Sequence, residues 1–148
     1  MMVGNKKNEI PHDEKIAANF LKNKGGGGGL HDFLGFKLTD ASPGVMRGQV
    51  EVRPELLTPF GNMHGGVLSA FCDHMLGCVC YPAMKPGQWA ATTEFKINLT
   101  APVSKGMLDA TANIINLGRT QAVVRIDVMN EGRLAAVAQG TVTIRDPR

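Results

Sequence analysis

"GNMHGGVLSAFCDHMLGCVCYP" occupies residues 61–82 and is the least polar stretch of a 148-residue chain. Leu68, Ala70, Phe71, Cys72, Met75, Leu76, Cys78 and Val79 surround an Asp73-His74 pair, so a carboxylate falls among apolar neighbours. At about 100° per residue these side chains leave no helix face clearly solvated, which predicts a core helix with walls on most sides. A membrane span is excluded: it needs roughly 20 apolar residues with no charge at the centre, and Pro82 closes this stretch. A buried carboxylate has to be paired, well hydrogen-bonded or protonated. Asp73 is therefore expected either to meet a Lys or Arg or to be held for chemistry.

Outward from the helix, the chain alternates. Residues 31–44 and 45–57 read as two strands, broken at Ser-Pro-Gly and again at Pro54. Residues 89–103, 106–118, 120–132 and 133–146 read as four more, and Phe95, Ile97 and Leu99 against Glu94, Lys96 and Asn98 give the clearest alternation. The order helix, two strands, long helix, four strands predicts an α+β fold in which a curved antiparallel sheet of about six strands wraps the long helix. Residues 9–24 carry Ile16, Phe20 and Leu21 on one face, a short amphipathic helix able to pack on that body. The five glycines at 25–29 read as a flexible connector, dividing residues 1–29 from a domain over 30–148. No Gly-Lys-Ser/Thr follows them, so they are not a phosphate loop.

Hydrophobic residues make up 43% and charged residues 20%, the profile of a folded soluble domain. A dispersed net charge of +3 argues against a nucleic-acid partner. Cys72, Cys78 and Cys80 are odd in number, crowded into one apolar element and lack zinc or redox spacing, so buried free thiols in a reducing compartment are expected. The N-terminus has no apolar core of a secretory signal, and the cytoplasm is the expected location. His12, His31, His64 and His74 share no ligand spacing, so neither a metal nor another cofactor is expected.

Gly65 and Gly66 open the long helix at about 1 kcal/mol each against alanine. They either leave first-turn N–H groups accessible to an anion or oxyanion, or let a strand approach closely. His64 before them is a cap, a positioning donor or a base, and His74, turned about 100° from Asp73, is a supporting or interface residue. His64 and Asp73 are nine residues apart, about 2.5 turns, roughly 13 Å along the axis and about 180° around it. They cannot meet within one chain. Serving one site requires a two-fold dimer with sites across its interface.

The run "FGNMHGGVLSAFCD" resembles the hotdog-fold thioesterase superfamily, in particular its phenylacetic-acid-degradation type, where His-Gly-Gly starts the central helix and an acid follows nine positions after the His. The likeness covers roughly residues 31–146 and includes the strand order. It implies dimers, often assembled into tetramers, and an acyl-coenzyme A substrate hydrolysed to acid and coenzyme A. It makes Asp73, Gly65, His64 and Thr92 the catalytic candidates. Gly65 would donate its N–H to the thioester carbonyl, Asp73 of the other subunit would be general base or nucleophile, His64 would orient the thioester, and Thr92 or Thr93 would hold the water. Asn62, Gly66, Thr93 and Arg119 are the substrate-binding candidates, Arg119 meeting nucleotide phosphates or simply standing solvated in its turn. Some relatives carry Asn six residues before the His, where this chain has Thr58, the nearest amide being Asn62. A non-catalytic acyl-coenzyme A sensor on the same fold is the alternative reading.

Overall fold

Strict alternation along the later strands supplies the walls that the long helix requires. In the computed structural model, which describes residues 9–23 and 27–147, the strands are β1 (Lys37–Ser42), β2 (Val45–Glu51), β3 (Trp89–Leu99), β4 (Met107–Leu117), β5 (Gln121–Asn130) and β6 (Arg133–Arg145). They form one antiparallel sheet in the order β1-β2-β4-β5-β6-β3. Along β5, Ala122, Val124, Ile126 and Val128 are fully buried while their neighbours are not, so one face of the sheet is apolar. The helix α3 (Gly65–Cys78) lies on that face and buries Leu68, Phe71, Cys72, Met75 and Leu76, the i, i+3, i+4 stripe of a single helix side. This is the hotdog arrangement expected from the sequence.

Two expectations are corrected. Residues 31–34, read as part of the first strand run, lie in a short helix, α2 (Leu30–Leu34). Its stop is Gly35, in the left-handed region at φ +80°, whose N–H bonds back to Asp32 O and His31 O. The long helix is also not enclosed on every side. Gly66 and Asp73 are exposed and Ser69, Ala70 and Gly77 half-buried, a stripe facing away from the sheet core. Beside this open side runs β3, which pairs only with β6 and leaves its outer edge without a strand. Trp89 and Leu99 at its two ends are 41% and 54% exposed.

The N-terminal helix α1 (Glu14–Lys22) packs on this body, as its apolar face predicts. Asp13 caps it, its carboxylate accepting from Lys15 N–H at 2.9 Å and Ile16 N–H at 3.0 Å. The Asp13 N–H donates to Pro82 O at 2.7 Å, tying the helix start to the segment after α3. Phe20 stacks on Tyr81 with ring centroids 4.7 Å apart. The connector expected over 25–29 lies partly outside the described residues, which include only its last three glycines.

Cys72, Cys78 and Cys80 are buried free thiols. Burial pushes each from 9.0 up to about 12, Asp73 adding to the effect at Cys72 and Cys80 at Cys78. The folded thiols hold their protons more tightly than unfolded ones. Their stabilising share is whole below pH 9 and lost as pH rises toward 12. Urea unfolding should show stability falling above pH 9 by about 1.4 kcal/mol per pH unit for each thiol. Cys80→Ala should make that decline shallower by one thiol's share, and an unaltered slope would count against the effect.

Candidate active site

Asp73 sits on the open side of α3 at the wall of a cavity of about 710 Å³. The opposite wall is β3, which contributes Thr92, Thr93, Glu94 and Phe95. A β-bulge interrupts the alternation of these side chains: Thr92 pairs with the buried Val142 and Glu94 with Thr141, leaving Thr93 as the extra residue, so Thr92 and Phe95 face α3 while Thr93 and Glu94 both turn to the outer face of the sheet. Gly140 across the ladder makes room, since a Cβ there would stand 2.5 Å from both Glu94 O and Phe95 Cβ.

The neighbouring hydroxyls differ in availability. Thr93 Oγ1 is hydrogen-bonded to Thr143 Oγ1, and the Glu94 carboxylate accepts from Thr141 Oγ1 at 2.7 Å. Thr92 Oγ1 has no hydrogen-bond partner among the described residues, so it is the hydroxyl free to hold a water beside Asp73. Sequence reasoning missed the bulge: strict alternation puts Thr92 on the side of Glu94, whereas the bulge puts it on the side of Phe95, toward α3. A bulge leaves no local mark in β3 itself, and a glycine in the facing strand is the one sign of it. His74 also reaches the cavity, but its ring stacks on His31 at 4.9 Å and lies 3.5 Å from Cys78 Sγ, which gives it a supporting position.

The other candidates gather at the start of α3. His64 is the N-cap, its Nδ1 accepting the Gly66 N–H at 2.9 Å. A neutral ring that accepts at Nδ1 carries its proton on Nε2, so His64 offers an outward donor rather than a base. Val67 and Leu68 N–H donate to the His64 carbonyl oxygen at 2.9 and 3.3 Å. Gly65 N–H is therefore the one first-turn donor without an acceptor among the described residues. The expected set of open donors narrows to this group, since the Gly66 N–H is used in the cap.

The two glycines have separate reasons. A Cβ at Gly66 would stand 3.0 Å from His64 Nδ1 and displace the capping ring. At Gly65 it would meet Leu99 Cδ1 at 3.0 Å, the movable end of a half-exposed side chain, so close packing by itself does not demand glycine. Asn62 is half-buried two residues before His64, its carbonyl accepting from Thr58 N–H at 2.7 Å. Arg119 is exposed in the turn between β4 and β5, with β6 separating β5 from β3.

Asp73, Thr92 and Thr93 thus share one cavity, while His64 and Gly65 stand at the other end of the helix beside Leu99. Thr92 and Leu99 are seven residues apart on β3, roughly 20 Å. Among the described residues no group of His, Cys, Asp and Glu could hold a metal ion, and no helix is long and apolar enough to cross a membrane.

The family model described as "Thioesterase superfamily" matches residues 60–137, more than half the chain and the whole of α3. The chain belongs to the thioesterase superfamily. It is similar to a 1,4-dihydroxy-2-naphthoyl-CoA hydrolase of Listeria monocytogenes, 26% identical over 81% of this chain and 98% of the relative. In structure it resembles a thioesterase of Haemophilus influenzae, with a TM-score of 0.84 at 22% identity over 93% of this chain and 95% of that one. It also resembles a mutant of a phenylacetic acid degradation protein from Thermus thermophilus, with a TM-score of 0.70 at 30% identity over 76% of this chain and 96% of that one. This thioesterase is accordingly a thioester hydrolase, and the non-catalytic alternative gains no support from these relatives.

Cap and donor functions of His64 in the thioesterase can be separated. His64→Ala should lower stability in urea by about 1 kcal/mol, and His64→Asn, a good N-cap, should recover most of it. Neither variant carries the outward Nε2–H, so thiol release from a thioester should stay low in both. Full recovery of turnover with Asn would show that the cap alone matters.

Proposed function

We propose that the protein hydrolyses acyl-coenzyme A thioesters at two equivalent sites, each built from the start of α3 of one protomer and the middle of α3 of its partner. One observation carries this reading: Gly65 N–H and the Asp73 carboxylate belong to one helix yet open onto different places in a single chain. An antiparallel meeting of two β3 edges would bring the Leu99 end of one copy to the Thr92 end of the other, and would cover the open stripe of α3. Further pairing of such dimers would give the tetramer. The coenzyme A moiety is suggested by the named activity of the Listeria relative, and a cytoplasmic location by coenzyme A chemistry together with three unoxidised thiols.

The roles follow from charge and proton traffic. The thioester carbonyl oxygen accepts from Gly65 N–H at the positive end of the helix, with His64 Nε2–H steering the thioester. A water held at Thr92 Oγ1 attacks the carbonyl carbon as Asp73 of the partner subunit takes its proton. Negative charge develops on the carbonyl oxygen beside Gly65, and collapse of the tetrahedral intermediate breaks the C–S bond to release coenzyme A and the acid. Asn62 lines the approach next to His64, and Arg119 is assigned to the nucleotide phosphates. Residues 30–148 constitute the catalytic domain in this reading, with 1–29 appended to it.

Asp73→Asn keeps the side-chain volume and should cut hydrolysis by about 10²–10⁴-fold. Affinity for a non-hydrolysable analogue should move by less than about tenfold. Mixing inactive His64→Ala and Asp73→Asn chains tests the shared site. A mixed dimer joins the two lesions in one site and leaves the other intact, so purified heterodimers should regain about half of the parent's turnover. No regain on mixing would place both residues in one protomer's site and end this proposal.

A further inference from the structure

Asn130 is the one buried polar or charged side chain among the described residues, 7% exposed at the end of β5. An asparagine beside a Glu-Gly turn ordinarily faces water, so its burial requires partners. It has two: its Nδ2 amide donates to Lys105 O and to Met107 O, each at 3.0 Å. Glu131 and Gly132, at φ +49° and +79°, close the hairpin in two residues, so Asn130 and Arg133 stand directly opposite each other across the ladder. Arg133 reaches further back along the same loop, its Nη2 donating to Pro102 O at 2.7 Å. Residues 100–106 have no regular structure of their own, yet one tight turn grips them at two carbonyls.

Between those two carbonyls lies Val103, 2% exposed, whose oxygen accepts the Met63 N–H at 2.6 Å. Met63 immediately precedes His64, and the His64 N–H donates to Leu56 O at 2.9 Å. These two bonds fix the chain as it enters α3, where the His64 ring and the free Gly65 N–H emerge. The helix itself does not supply this anchorage, because both N–H groups precede its own hydrogen-bond ladder. Resting on the thioesterase reading above, we propose that Asn130 and Arg133 are positioning residues for hydrolysis. The turn they flank holds the Val103 carbonyl, and through the Met63 N–H it aims the His64 ring and the Gly65 N–H at the thioester carbonyl. Neither side chain touches substrate. They act on the placement of donors that must face an oxygen as its charge grows, where an error of about 1 Å is costly.

The test uses the full chain with Asn130→Ala, Arg133→Met and Arg133→Lys. Arg133 is exposed, so its variants should fold even where Asn130→Ala does not, which thermal melting verifies. Methionine keeps an unbranched stem and cannot donate, whereas lysine still offers an N–H to Pro102 O. Turnover is followed as thiol release from acetyl-, hexanoyl- and benzoyl-coenzyme A, and exchange of the Met63 amide by NMR in deuterated water. On every thioester the parent hydrolyses, Asn130→Ala should lower kcat by about tenfold or more and Arg133→Met by about threefold or more, with KM within about twofold. The Met63 amide should exchange about tenfold faster or more in both, while amides inside β4 and β5 keep the parent's rates. Arg133→Lys should return kcat and Met63 exchange to near the parent's values.

A lowered melting temperature with the parent's kcat, a rise in KM alone, or Met63 exchange at the parent's rate in the folded variants would each overturn the proposal. Where Asn130→Ala does not fold, the two Arg133 variants decide. The two readings fail differently. A parent that releases thiol from none of these thioesters would refute thioesterase activity and the positioning role with it. A parent that hydrolyses them, with folded variants that keep its kcat, would refute the positioning role alone.

Discussion

The packing of α3 on the apolar face of the sheet is the contact on which the rest of the molecule depends. Leu68, Phe71, Cys72, Met75 and Leu76 point into that face and are almost wholly removed from water, each such side chain contributing about 1.5–3 kcal/mol. A single six-stranded sheet reaches only part of the way round a helix. The side it cannot reach carries Gly66, Ala70, Asp73 and Gly77, and beside that side the sheet ends in β3 with an unpaired edge. Every functional candidate except Arg119 lies along this open strip or at its ends.

In the proposed reaction that geometry divides the chemistry between the start and the middle of one helix. The start of α3 provides polarisation: one free N–H at Gly65, the helix dipole, and a histidine whose tautomer is set by the N–H it caps. The middle of the helix would then provide the Asp73 carboxylate, with the unengaged Thr92 hydroxyl across the cavity. Strand β3 runs past both and differs at each end, bulged at Thr93 and regular at Leu99. Such a division suits a reaction in which charge builds on one oxygen while a proton leaves another. In the proposed dimer, the face that carries the site is also the face that meets the second copy.

The strands were the most legible part of the fold, because a sheet with one buried face writes its period of two directly into Ala122, Val124, Ile126 and Val128. The N-terminal helix was legible for the same kind of reason, a recurring apolar spacing, and the central helix from an unbroken apolar run bounded by glycines and Pro82. The short helix α2 was not, since five residues with only Leu34 buried give too little pattern to outweigh the strand that follows. The open stripe of α3 was hidden by composition: it is built from glycine, alanine and serine around one acid, so it looks as apolar as the buried side. For that reason Asp73 read as a buried carboxylate when in the single chain it is exposed.

By itself the sequence determined the class of fold, the succession of two strands, long helix and four strands along the chain, the helix start at His64-Gly65-Gly66 and the impossibility of His64 meeting Asp73 along one helix. These are local or periodic properties, fixed by spacing and by the 100° turn of the α-helix. Only the tertiary structure decided which groups are free to act. It consumed the Gly66 N–H and left Gly65's, engaged Thr93 and left Thr92's hydroxyl, turned Thr92 to the side of Phe95 through a bulge, and set Phe20 of a distant helix against Tyr81. Hydrogen-bond partners and ring contacts are made between segments tens of residues apart, and no local pattern in the chain records which of two adjacent threonines or glycines will be claimed by a neighbour.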